Sequence, residues 1–166
     1  MEKLDFKHLL VQVADLPQVD AIAQCRLQQT SSRLYGVVGS WLSCVIGAEC
    51  LYASRQTTSP TPFCSLLICQ DHDTAAHIYT ELSAWQLPSE VHLFPSSYRG
   101  RVLPANIQAE RIVQRNETLL NLTKATSQAH IVITYAEALA EKIALKNTQD
   151  ENKKSLKQGD ELDREL

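Results

Sequence analysis

The stretch Tyr35-Gly36-Val37-Val38-Gly39-Ser40-Trp41-Leu42-Ser43 is the first place where residue types and spacing point to chemistry. It lies between a strand-like and a helix-like segment, where a phosphate-binding loop belongs. Such a loop needs small residues so that backbone N–H groups can surround phosphate oxygens. It also needs a lysine for the β- and γ-phosphates and a Ser or Thr hydroxyl for Mg²⁺. On the pattern GxxxxGK[ST], Gly36 stands at the first glycine and Ser43 at the hydroxyl, while Trp41 replaces the second glycine and Leu42 the lysine. The point charge is missing, and an indole stands where backbone should approach the ligand. Gly36, Gly39, Ser40 and Ser43 therefore read as a degenerate phosphate loop, a tight strand-to-helix turn without nucleotide chemistry. A nucleotide-binding enzyme domain with an unusual loop is the alternative.

Two further clusters carry polar chemistry. Asp71-His72-Asp73 follows an apolar run at the expected carboxyl edge of a sheet, where ligands of open parallel sheets bind. A histidine between two carboxylates can serve as a base, but the triplet reads first as a helix-capping turn. Tyr98, Arg99, Arg101, Arg111 and Arg115 form a basic group, with Arg111 and Arg115 on one helix face at i,i+4. They are a candidate patch for phosphates or an acidic partner, and a DNA-backbone-binding module is the function they would support. The plainer reading is a solvated face with the arginines paired to Glu110 and Glu117.

No metal site and no catalytic residue is expected. His72 and His77 are five apart and point to different helix faces. Cys25, Cys44, Cys50, Cys64 and Cys69 are odd in number and contain no CxxC pair, so they read as reduced thiols of a cytoplasmic protein. No Gly-x-Ser-x-Gly elbow, HExxH or EF-hand loop occurs.

These residues must be positioned by a chain of 166 residues with 44% hydrophobic and 21% charged side chains, which describes one globular domain. The net charge of −3 argues against a whole-domain grip on nucleic acid. Much of that acidity lies in residues 147–166, which carry four basic and six acidic side chains. No run approaches the ~18 apolar residues of a membrane span, and MEKLDFKHLL has no apolar signal core.

Periodicity predicts helices through the first 30 residues, the second starting at Pro17. Strand–helix units then follow four times. The strands are expected at Arg33–Val38, Phe63–Cys69, Val91–Phe94 and His130–Thr134. The Phe63–Cys69 run, being continuously apolar, is expected to be buried on both faces. The helices are expected at Ser40–Arg55, from a cap at Asp73 or Thr74 to Gln86, at Pro104–Lys124, and at Ala136–Leu145. Alternation of this kind predicts an α/β fold with a mostly parallel sheet and helices on both faces. The predicted organisation is a helical segment over 1–30, an α/β domain over 31–146 and a linker over 147–166.

Four segments resemble a known family, the N-terminal region of bacterial transcription-repair coupling factor, itself similar to the first domain of the excision-nuclease B subunit. They are Gly36-Val37-Val38-Gly39-Ser40; Val91-His92-Leu93-Phe94-Pro95-Ser96-Ser97-Tyr98-Arg99; Glu110-Arg111-Ile112; and Ile131-Val132-Ile133-Thr134-Tyr135-Ala136-Glu137-Ala138-Leu139. Phe-Pro-Ser-Ser-Tyr-Arg with Ile-Thr-Tyr-x-Glu-Ala-Leu looks most like the proteins of Bacteroides-type bacteria. The resemblance implies a degenerate helicase-motor-like (RecA-like) domain without motor activity. It implies a full-length protein that is an ATP-dependent DNA translocase, using ATP and Mg²⁺ in other domains. That protein displaces stalled RNA polymerase and recruits the excision-nuclease A subunit, mainly through the small domain that follows. Leu156–Asp163 resembles the opening of that small domain. The aromatic-rich hairpin of the B subunit has no room between Pro95 and Asn106, so damage clamping is not implied.

Overall fold

A computed structural model describes residues 6–56, 64–98, 108–124 and 129–143. Two helices open the chain, α1 (Phe6–Ala14) and α2 (Pro17–Leu27), and they pack on a third, α3 (Trp41–Gln56). Pro17 starts α2 at a position where its missing N–H costs nothing. Val13, Ala14, Val19 and Ala48 form the small core of this helical corner.

The remaining elements are β1 (Cys64–Cys69), α4 (His72–Ala84), β2 (Ser89–Leu93), α5 (Ala109–Thr123), β3 (Ala129–Tyr135) and α6 (Ala136–Ala140). The three strands form an all-parallel sheet in the order β1-β3-β2. The chain crosses from β1 to β2 over β3 and then steps back, so right-handed connections put α4 and α5 on opposite faces. Ile78 and Leu82 of α4 join Ile131 and Ile133 of β3 in the main core, with Cys50 of α3 and Leu93 of β2. The fold is thus α/β with a parallel sheet, as the alternation predicts.

Four expectations are corrected. Residues 33–38 form no strand; Leu34, Tyr35 and Val38 are exposed, and a β-prone run without a neighbour to pair with does not become a strand. The strand buried on both faces is β3, not β1. In β1, Leu66 and Ile68, two apart and so on one face, stay 55% and 57% exposed, because that face of the strand is left uncovered. The cap of α4 is Asp71, whose Oδ1 accepts from the Thr74 N–H at 2.8 Å. Finally, α6 ends at Ala140, with Glu141 extended, and does not run on to Leu145; the expected start of α5 at Pro104 lies outside the described residues, as does the linker over 147–166.

Gly47 sits inside α3 where a Cβ would lie 3.1 Å from the Trp85 ring and 3.2 Å from the Leu10 side chain. Its lack of a side chain lets α1 and the end of α4 close on α3. All five cysteines are free. Burial pushes the Cys50 thiol up to about 12, with Glu49 adding to it, so this thiol is no nucleophile.

Candidate functional site

The degenerate loop enters α3 through two glycines in the left-handed region, Gly36 at φ +75° and Gly39 at φ +58°. This conformation is nearly free for glycine and strained for other residues. Two N–H groups at the end of the loop turn back on it. Trp41 donates to the Val38 carbonyl at 3.3 Å and Leu42 to the Gly39 carbonyl at 3.4 Å. Ser40 accepts from the Cys44 N–H at 3.0 Å, which starts the helix.

The two loop hydroxyls have the same partner. Ser40 Oγ donates to Glu81 Oε1, and the fully buried Ser43 donates to Glu81 Oε2 at 2.5 Å. Glu81 belongs to α4, and His77, one turn earlier, lies 3.4 Å from it. Burial works to raise the Glu81 carboxyl, but the bonds from Ser40 and Ser43, with His77 nearby, hold it below its ordinary value of 4.5. An in-chain carboxylate therefore stands beside the start of α3, where the helix dipole favours negative charge. A polyphosphate would meet that anion. Around the loop, Tyr35, Val38 and Trp41 expose apolar surface.

The second cluster lies at the carboxyl ends of the strands. Arg115 of α5 is only 6% exposed. It donates to the carbonyls of Pro95 at 2.7 Å and Ala138 at 3.1 Å, lies 4.1 Å over the Phe94 ring, and sits 3.6 Å from Glu141. Glu141 also accepts from Ser96 Oγ and from the Ser97 N–H at 2.9 Å. Tyr135 closes the group by accepting from the Ser96 N–H at 2.8 Å. Burial raises the Glu141 carboxyl, and Ser96, Ser97 and Arg115 together bring it below 4.5. Every strong acceptor in this network already has a donor inside the chain, so it fixes the edge of the sheet.

Arg111 lies next to it, half-buried, donating to the Tyr98 carbonyl at 3.2 Å and meeting His72 Nε2 at 3.0 Å. His72 stacks edge-on against Tyr135 at 5.6 Å. Tyr98 and Arg111 are thus brought together, and Arg115 lies behind them in the interior. Neither arginine takes the expected partners Glu110 and Glu117 among the described contacts: one pairs with Glu141 and the other with His72. Arg99 and Arg101 lie outside the described residues. Asp71 caps α4, and the bond from the Thr74 N–H lowers its carboxyl below 3.8.

One cluster escaped the sequence reading. Glu90 and His92 alternate along β2 and share a face, and the register sets His130 of β3 opposite Glu90. His92 Nε2 is 3.1 Å from His130 Nδ1, and Glu90 Oε2 is 3.6 Å from each of those nitrogens. The Glu-x-His alternation is a visible signal, but the pairing with His130 is a matter of register, which the sequence does not state.

Comparison of the chain with protein-family models, curated proteins and solved structures finds no match.

Proposed function

We propose that this chain is a non-catalytic scaffold domain of RecA-like descent whose phosphate loop no longer takes nucleotide. More specifically, we propose that it is the N-terminal domain of a protein of the transcription-repair coupling factor type. One observation carries the loss of nucleotide binding: Glu81 accepts from the hydroxyls of Ser40 and Ser43, the second being the hydroxyl that would serve Mg²⁺. Leu42 in place of lysine supports the same conclusion. Three of the resembling segments, those containing Pro95–Tyr98, Arg111 and Tyr135–Leu139, meet at the carboxyl edge of the sheet, which gives their shared occurrence a structural reason.

In this reading the domain supports the neighbouring small domain, through which the excision-nuclease A subunit is contacted. RNA polymerase, DNA, ATP and Mg²⁺ belong to other domains of a cytoplasmic translocase. The DNA-backbone alternative keeps Tyr98 and Arg111 but loses Arg115, which is engaged internally.

The test is binding of purified A subunit to this chain and to a longer chain that continues through the next domain. The longer chain should bind and residues 1–146 should not. Equal binding by both would move the contact into this domain, and binding by neither would remove the coupling-factor reading.

A further inference from the structure

At the end of the sheet remote from the Arg115–Glu141 network, Glu90, His92 and His130 converge in a way that neither the loop nor the edge network uses. Both imidazoles are nearly enclosed, with side chains 10% and 8% exposed, while Glu90 is 38% exposed. Two adjacent parallel strands hold the three side chains, so their separation is set by sheet register and not by a mobile loop.

The distances carry the inference. A tetrahedral zinc ion with bonds of about 2.0–2.2 Å keeps its ligand atoms about 3.3–3.6 Å apart. The three atoms here are 3.1, 3.6 and 3.6 Å apart, which brackets that value. The same Glu90 oxygen is equidistant from both nitrogens, yet too far from either for a good hydrogen bond. A carboxylate poised between two imidazole nitrogens without bonding to either suits a cation seated among all three.

We propose that His92 Nε2, His130 Nδ1 and Glu90 Oε2 form a binding site for one divalent transition-metal ion of the zinc class. Two histidines and one carboxylate are a donor set such ions accept, with a further position left for water on the exposed Glu90 side. The ion would tie β2 to β3 and offset the Glu90 charge.

Cobalt(II) titration of the full 166-residue chain, read by its visible d–d absorption and followed by displacement with zinc, tests the site. The expected result is one saturating equivalent, with zinc raising the melting temperature. Glu90→Gln, at a half-exposed position that tolerates an isostere, should weaken binding at least tenfold and abolish the zinc-induced rise. His130→Gln should do the same, and His77→Ala should leave both readouts unchanged. Absence of saturable cobalt binding, or equal affinity in the parent, Glu90→Gln and His130→Gln chains, would overturn the proposal.

Discussion

Ser43 Oγ donates to Glu81 Oε2 at 2.5 Å, joining a fully buried side chain in the first turn of α3 to the last turn of α4. Together with the Ser40 bond it locks the glycine loop against the neighbouring helix. Glu81→Ala leaves a buried hydroxyl without its acceptor, a loss of about 1–3 kcal/mol. Urea denaturation should show that decrease. Adding Ser43→Ala should recover part of it, because removing both partners of a buried bond costs less than orphaning one.

Arg115 and Arg111 share a helix face and should nonetheless differ sharply. Arg115→Ala leaves the Pro95 and Ala138 carbonyls without this donor, at about 1–3 kcal/mol each, and removes the cation beside Glu141, which keeps its bonds from Ser96 and Ser97. Arg111→Ala, in a half-exposed contact, should cost no more than about 1 kcal/mol. Parallel denaturation curves of the two variants give the comparison directly.

Glu141 gives stability a pH dependence of definite sign. Its carboxyl is held below 4.5 in the folded chain, because the donors Ser96, Ser97 and Arg115 outweigh burial. The folded state then binds fewer protons than the unfolded one. Its contribution is full above 4.5 and is lost as pH falls through the folded value. Glu81 acts in the same direction. Glu49 acts oppositely: burial, partly offset by Arg26, raises its carboxyl, so its contribution improves as pH falls. Glu141→Gln should therefore be less stable than the parent at neutral pH and lose less on acidification, as urea midpoints at a series of pH values would show.

Gly47 tests the packing of α3. Gly47→Ala gains about 1 kcal/mol of helix propensity and must displace the Trp85 ring and Leu10 by a few tenths of an ångström, so it should stay within about 1 kcal/mol of the parent. Gly47→Leu overpacks the same gap and should cost about 1–3 kcal/mol. Thermal melts of both variants distinguish a steric role from mere tolerance.

What could be read from the chain follows from which signals are local. The apolar runs of β1, β2 and β3 and the periodicity of α3, α4 and α5 are local, and those elements form near the expected places. Burial is not local. The same apolar character gives a central strand at Ile131–Ile133 and an edge strand at Leu66–Ile68, because neighbours decide which faces are covered. The loop's missing lysine was legible, but its replacement partner Glu81 was not, since that contact joins two helices. Arg115 looked like half of an i,i+4 surface pair, and only the return of the chain at Ala138–Glu141 encloses it. Gly47 had no visible role until Trp85 packed against it.

The central claim is that the loop before α3 is filled from within and takes no nucleotide. Calorimetric titration of the 166-residue chain with Mg-ATP tests it most directly. No saturable heat up to millimolar nucleotide is the predicted result. Saturable binding at micromolar Mg-ATP, weakened by Ser43→Ala, would contradict it.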